Sequence, residues 1–239
     1  MNEQNRGDRS HPFNVVLVGL PGAGKGTQAA QFARRHSVPR ISTGDMLRDA
    51  VARGTALGRE VAATIEAGGL VPDDVIVGVV KERLERPDTA GGFVLDGFPR
   101  TVPQAKELEP LVAVRGGVVV IYLEISPDVI LQRLLTRRIC ESCGQADTGA
   151  HTSEYCASCG GGFVKRADDH IDVIRQRLAA YVENTQPLVD WYSKGPAFRA
   201  VDANQPLEAV ARAFDTAVLE CLGGLRDPLG GRNSLDDER

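Results

Sequence analysis

Phe13 to Gly19 (FNVVLVG) is an unbroken apolar, β-branched run that ends in glycine, the pattern of a strand covered on both faces. Similar short runs recur at Gly92–Asp96 (GFVLD), Gly117–Leu123 (GVVVIYL) and Ala197–Asp202. A helix is predicted over Thr27–His36, after a glycine-rich turn. Longer amphipathic stretches cover Asp73–Arg86, Pro103–Arg115, Pro127–Arg138 and Asp169–Lys194. Pro72-Asp73-Asp74 and Ser126-Pro127-Asp128 carry helix-start chemistry, since Ser or Asp can cap and proline suits the first turn. Strands alternating with helices predict βαβ units, hence an α/β fold with a parallel sheet core and helices on both faces.

Two segments break the rhythm. Ser42–Val71 holds two helical patterns, Gly44–Arg53 and Gly58–Ala67, with no strand between them, and is expected to project from the sheet as a flap. Arg138–Arg166 is rich in Gly, Ser and Cys, has almost no large aliphatic residues and needs a staple to fold. The expected division is a core of residues 13–41, 72–137 and 171–222, a flap of 42–71 and a lid of 138–170. Residues 1–12 are polar and lack the apolar run of a signal peptide, and 223–239 are rich in glycine; both tails read as disordered.

Composition sharpens the picture. The chain has 239 residues, 42% of them hydrophobic, enough for one large or two modest domains. A net charge of −4 argues against a general polyanion binder, so no nucleic-acid partner is expected. No run of 18 apolar residues offers a membrane span, and a cytoplasmic, reducing setting follows. Two biases stand out. Only five of the 28 basic residues are lysines, and four of the five cysteines lie between positions 140 and 159.

Cys140-x2-Cys143 and Cys156-x2-Cys159 are each followed by glycine, the spacing of two knuckles presenting four thiolates to a structural zinc ion. Disulfides are the competing reading, disfavoured in a reducing compartment. Redox CxxC chemistry fits less well, because neither pair opens a helix in a thioredoxin-like setting. Four sulfurs leave no vacancy for His151, which lies between the pairs, and iron remains open as the metal. Cys221 reads as a small core residue.

Gly19-Leu20-Pro21-Gly22-Ala23-Gly24-Lys25 follows the first strand and precedes a helix, the context of a phosphate-binding loop. Its amides and the helix N-terminus favour phosphate oxygens, and Lys25 would reach the β- and γ-phosphates of a nucleoside triphosphate. Gly26 stands where the general pattern has a hydroxyl, which Thr27 supplies one position later. Phosphoryl transfer needs positive charge around three moving oxygens, and the arginine fork suits them. The candidates are Arg48, Arg100, Arg133 and Arg137 (i, i+4 on one helix), Arg166 and Arg177. Arg138 and Arg175 read as solvated helix charges, and Met46 and Phe98 as packing residues. Asp168 and Asp169 suit either a helix cap or a lid salt bridge.

GLPGAGKGT (Gly19–Thr27), STGDMLR (Ser42–Arg48), LDGFPRT (Leu95–Thr101) and RADD (Arg166–Asp169), in that order, resemble the bacterial adenylate kinases of the long-lid type. The four cysteines match the subgroup with a zinc-binding lid. The resemblance, from Phe13 to Leu222, implies Mg-dependent transfer, ATP + AMP = 2 ADP, by a monomer with two mobile flaps.

Its implied catalytic residues are Lys25, Arg100, Arg137, Arg166 and Arg177. ATP would be held by Gly22, Ala23, Gly24, Lys25, Gly26, Thr27, Arg133, Arg137 and Gln205. AMP would be held by Thr43, Arg48, Gly69, Leu70, Val71, Gly97, Phe98, Pro99, Arg100, Gln104, Arg166 and Arg177. Asp96 would orient magnesium's waters, and Cys140, Cys143, Cys156 and Cys159 would bind zinc.

The sequence also departs from that family. The lid is shorter between its knuckles. Gln145-Ala146-Asp147 replaces a common Thr-Tyr-His stretch, and His170-Ile171-Asp172 replaces an acidic one. A UMP/CMP kinase is the nearest rival, usually with a short lid that lacks knuckles. A nucleotide-regulated zinc-ribbon module binding nucleic acid is the rival from another class.

Overall fold

The computed structural model describes residues 12–147, 153–166 and 168–226. The N-terminal extension, apart from Pro12, lies outside these residues, as do His151 and the tail beyond Arg226.

The core is a five-stranded parallel sheet of β1 (Phe13–Gly19), β2 (Arg40–Ser42), β3 (Gly92–Asp96), β4 (Val119–Glu124) and β7 (Phe198–Asp202). Their order across the sheet is β2-β3-β1-β4-β7. Central β1 pairs Val15 with Val94 of β3 and with Val119 of β4. Alternation along β1 divides the core. Val15 and Leu17 pack on one face with Phe32 of α1 (Lys25–His36) and Phe214 of α9 (Leu207–Arg226). Val16 and Val18 pack on the other with Val80 of α4 (Asp73–Leu84) and Leu108 of α5 (Val102–Ala113). Both sheet faces are therefore dry, as continuous apolar strands require. Cys221 is buried in the first cluster.

The flap is α2 (Thr43–Ala52) and α3 (Ala56–Glu66), and α6 (Pro127–Thr136) leads into the lid. Within the lid, β5 (Arg138–Cys140) pairs antiparallel with β6 (Phe163–Lys165). The long stretch after the lid is α7 (Ile171–Ala180), a π-helical turn (Tyr181–Thr185) and α8 (Gln186–Tyr192).

Helix starts differ from expectation. Side chains of Ser42, Thr55 and Thr101 cap α2, α3 and α5 by accepting from the amides of Asp45, Gly58 and Gln104. Neither Pro72-Asp73-Asp74 nor Ser126 makes a side-chain cap. Proline near the start and acids in the first turn serve α4 and α6 through φ and the helix dipole. Asp168 and Asp169 do not cap α7 either, whose N-cap is His170. Both carboxylates are taken by arginines.

Candidate active site

The loops after β1 and β3, the flap, the lid and α7 enclose a cleft of about 760 Å³ at the carboxyl edge of the sheet, where parallel α/β folds bind ligands. Among the described residues it is lined by nine basic side chains and four acidic ones, in a chain whose net charge is −4.

After β1, Gly19, Gly22 and Gly24 all take positive φ (150°, 87° and 94°). They let the loop turn back on itself before α1, which begins at Lys25 rather than at Thr27. The Lys25 ammonium donates to the carbonyls of Gly19 (2.6 Å) and Leu20 (2.9 Å). Burial lowers its pKa from 10.5 to about 7; Arg100, Arg177 and Arg137 add repulsion, and Asp96 only partly offsets it.

After β3, the backbone of Gly97 serves both sides of the cleft. Its carbonyl accepts from the Thr43 hydroxyl (2.9 Å) and from Arg100 Nε (2.8 Å). Arg100 is fixed at two further points: its amide donates to Gln104 Oε1 (2.7 Å), and its carbonyl accepts from Thr185 in the π-helical turn (2.9 Å). Such turns recur at functional sites because they redirect side chains. Desolvation, then repulsion from Arg48 and Arg166, lowers the pKa of Arg100 despite Asp96.

At the lid hinge, Asp169 is fully buried and accepts from Arg137 through both its oxygens, with Nε to Oδ2 at 2.7 Å, and from Arg177 (3.1 Å). The chain leaves α6 at Thr136, so Arg137 is an extended C-cap and does not share the helix face of Arg133. Asp168 takes Arg166 (2.7 Å) and lies 4.0 Å from Arg48 of the flap. Arg48 is also paired with Asp45. Desolvation and Arg166 lower the pKa of Arg177 to about 10. The flap's closing turn rests on the same helix: a Cβ on Gly68 (φ 75°) would lie 3.0 Å from Arg177 Cγ and 3.1 Å from Val173.

A family model described as adenylate kinase matches residues 17–196. The adenylate kinase of Pelobacter propionicus is 46% identical over 207 residues, covering 83% of this chain and 93% of that protein. That of Moorella thermoacetica is 44% identical over 212 residues (86% and 98%), and that of Kosmotoga olearia 43% over 204 (83% and 95%). The chain belongs to the adenylate kinase family.

The structure brings nearly all of the sequence-predicted site residues to one cleft. The phosphate loop, Thr43, Arg48, Gly69 to Val71, Asp96, Gly97, Pro99, Arg100, Gln104, Arg133, Arg137, Arg166, Arg177 and Gln205 all line it. Phe98 does not. It is buried under the loop in the core, as its side chain alone suggests. Arg133 donates to the carbonyl of Ala203 (3.1 Å) beside Gln205.

Arg138 is not a solvated charge. It pairs with Asp147 and lies 5.4 Å from the ring centre of Phe163, because β5 turns it onto the lid's own small interior. Arg175, with its side chain 73% exposed, keeps a solvated position beside Asp172.

The lid sulfurs fit a metal. All four Sγ atoms lie within 4.8 Å of one another, with Cys140–Cys159 at 3.4 Å and Cys143–Cys156 at 3.7 Å. A tetrahedron with bonds of about 2.3 Å needs sulfurs roughly 3.8 Å apart. Each knuckle turns on a glycine amide, Gly144 to the Cys140 carbonyl (2.9 Å) and Gly160 to that of Cys156 (2.8 Å). Backbone amides lower the thiol pKa of Cys140, to about 7, and that of Cys156. Neighbouring sulfurs and burial raise those of Cys143 and Cys159, so two of the four sulfurs favour the thiolate form that binds metal and two hold their protons until a cation replaces them.

Asp96 fits a water-held cation. It is buried at the end of β3, and a Cβ on Gly26 of the phosphate loop would approach its Oδ2 to 3.3 Å. A single carboxylate there suits magnesium, which keeps several waters and is shared with substrate phosphates.

Two side chains that hold predicted site residues in place escaped the sequence analysis. Arg40, at the start of β2, binds Asp96 (2.8 Å) and Asp45 (2.9 Å) inside the cleft. Asp73 takes the side chains of Thr101 and Gln104. A lone arginine opening a three-residue strand and an acid at a helix start carry no distinctive pattern.

Proposed function

We propose that the cleft performs the family's reaction, the reversible transfer ATP + AMP = 2 ADP, with ATP on the phosphate loop and AMP against the flap. The observation that carries this reading is the concentration of under-neutralised cations where the two halves meet. Lys25, Arg48, Arg100 and Arg177 all have lowered pKa values. A transferring phosphoryl group is the complementary anion.

In this reading Gly22 to Thr27 hold the ATP phosphates, Arg133 and Gln205 border its adenosine, and Arg137 contacts it at the hinge. Thr43, Arg48, Gly69 to Val71, Gly97, Arg100 and Gln104 hold AMP. Arg166 and Arg177, with Lys25 and Arg100, stabilise charge on the moving oxygens. The attacking atom is a phosphate oxygen, so no general base is needed; positioning and charge do the chemistry. Magnesium, when bound with ATP, neutralises phosphate charge, and Asp96 is assigned to hold it through water. The four cysteines are assigned to a structural zinc. The protein is read as a monomer, as the family resemblance implies, and as cytoplasmic, in keeping with the reducing setting inferred from its sequence.

A coupled assay with ATP and each of AMP, GMP, UMP and CMP tests the reading: rapid turnover is expected with AMP, and turnover with another monophosphate alone overturns it. Lys25→Ala or Arg100→Ala should lower turnover by about 10³-fold or more, the scale of phosphoryl-transfer cations. Their far-UV circular dichroism should stay unchanged. Wild-type turnover in either variant removes that residue from the mechanism.

A further inference from the structure

Gln104 is held at both ends of its side-chain amide. It is 2% exposed, yet it borders the cleft on the flap side. Its Oε1 accepts from the Arg100 amide (2.7 Å), and its Nε2 donates to Asp73 Oδ1 (2.6 Å). The other Asp73 oxygen accepts from the Thr101 hydroxyl (3.0 Å), and that same hydroxyl oxygen accepts from the Gln104 amide (3.2 Å). Asp73, Thr101 and Gln104 thus form a closed ring between the starts of α4 and α5.

The ring decides which end of the amide is which. A carboxylate only accepts and a peptide N–H only donates, so Asp73 and the Arg100 amide agree on one orientation. Turning the Gln104 amide over would set Oε1 against a carboxylate and Nε2 against an N–H, losing two hydrogen bonds and opposing like poles twice. One N–H and one oxygen lone pair remain for a ligand. Adenine offers N6–H as donor and N1 as acceptor, which this edge matches as a bidentate pair. Guanine offers O6 as acceptor and N1–H as donor, the reverse order, and only the forbidden orientation suits it.

We propose that Asp73 is a specificity-determining positioning residue, fixing the Gln104 amide in the orientation that accepts adenine and rejects guanine in the monophosphate. The inference rests on the AMP site assigned above and adds to it the residue that makes the base choice. Asp73 acts through Gln104 and is not a catalytic residue.

The test is initial rates at saturating MgATP with varied AMP or GMP, for the wild type, Asp73→Asn, Asp73→Ser and Gln104→Leu. Asn and Ser both donate and accept, so either removes the bias while keeping a polar helix start. In both, the GMP-to-AMP ratio of kcat/KM should rise about tenfold, the scale of one bidentate base contact. The rise should come through a higher KM for AMP, with the KM for ATP unchanged. An unchanged ratio in Asp73→Asn and Asp73→Ser, with a raised AMP KM in Gln104→Leu, overturns the inference and leaves the AMP site standing. An unchanged AMP KM in Gln104→Leu overturns both. Asp73→Ser carries the test should Asp73→Asn fold poorly.

Discussion

Lys25 has its ammonium turned onto the carbonyls of Gly19 and Leu20, which solvate it poorly compared with water. Desolvation comes first and neighbouring arginines second in lowering its pKa to about 7. The folded state therefore holds fewer protons than the unfolded one between pH 7 and 10.5, and what this group contributes to stability is lost as pH falls through that window. A bound phosphate reverses the preference, so ATP binding at pH 8 should take up close to one proton (~0.9). Titration calorimetry in buffers of different ionisation enthalpy measures this. The uptake should vanish in Lys25→Met, and its absence in the wild type refutes the assignment. Lys25 was legible in the sequence because glycine spacing and a following helix surround it with its own context. Arg40 and Asp73 were not, since each acts through partners far away in the chain: Arg40 through Asp96, and Asp73 through Thr101 and Gln104.

Among elements, legibility follows the source of stability. Strands β1, β3 and β4 are buried runs of branched residues and announce themselves. β2, β5 and β6 have three residues each, and two of them begin with arginine, so no local pattern separates them from loop. The lid's strands exist because something other than an apolar core holds their ends, and the cysteines were the readable sign of it. Cys143→Ser should therefore lower the metal content and melt the lid while the core sheet persists. Metal analysis together with hydrogen exchange checks this: loss of protection confined to residues 138–166 is expected, and full metal content with unchanged protection contradicts it.

At the scale of the whole molecule, an acidic chain gathers nine basic side chains around one cleft. The overall charge concealed this, because convergence in space leaves no trace in a sum. Attraction of anionic nucleotides into the cleft should be screened by salt, whereas a mostly apolar core should not. Raising ionic strength from about 0.05 to 0.3 M should raise the KM of both nucleotides several-fold with little change in Tm. Constant KM values across that range would assign recognition to contacts other than charge. Among the described residues no helix is long and apolar enough to cross a membrane.

The closing turn of the flap and the return strand of the lid both end on α7. Gly68 runs so close to Val173 and Arg177 that a Cβ would crowd both, and Asp169 accepts from Arg177. One helix is thereby contacted by both projecting segments and carries an arginine that belongs to neither. In the reading proposed above, Arg177 would take its place only when both segments are docked on its helix, a conjunction set by geometry rather than by any change in charge.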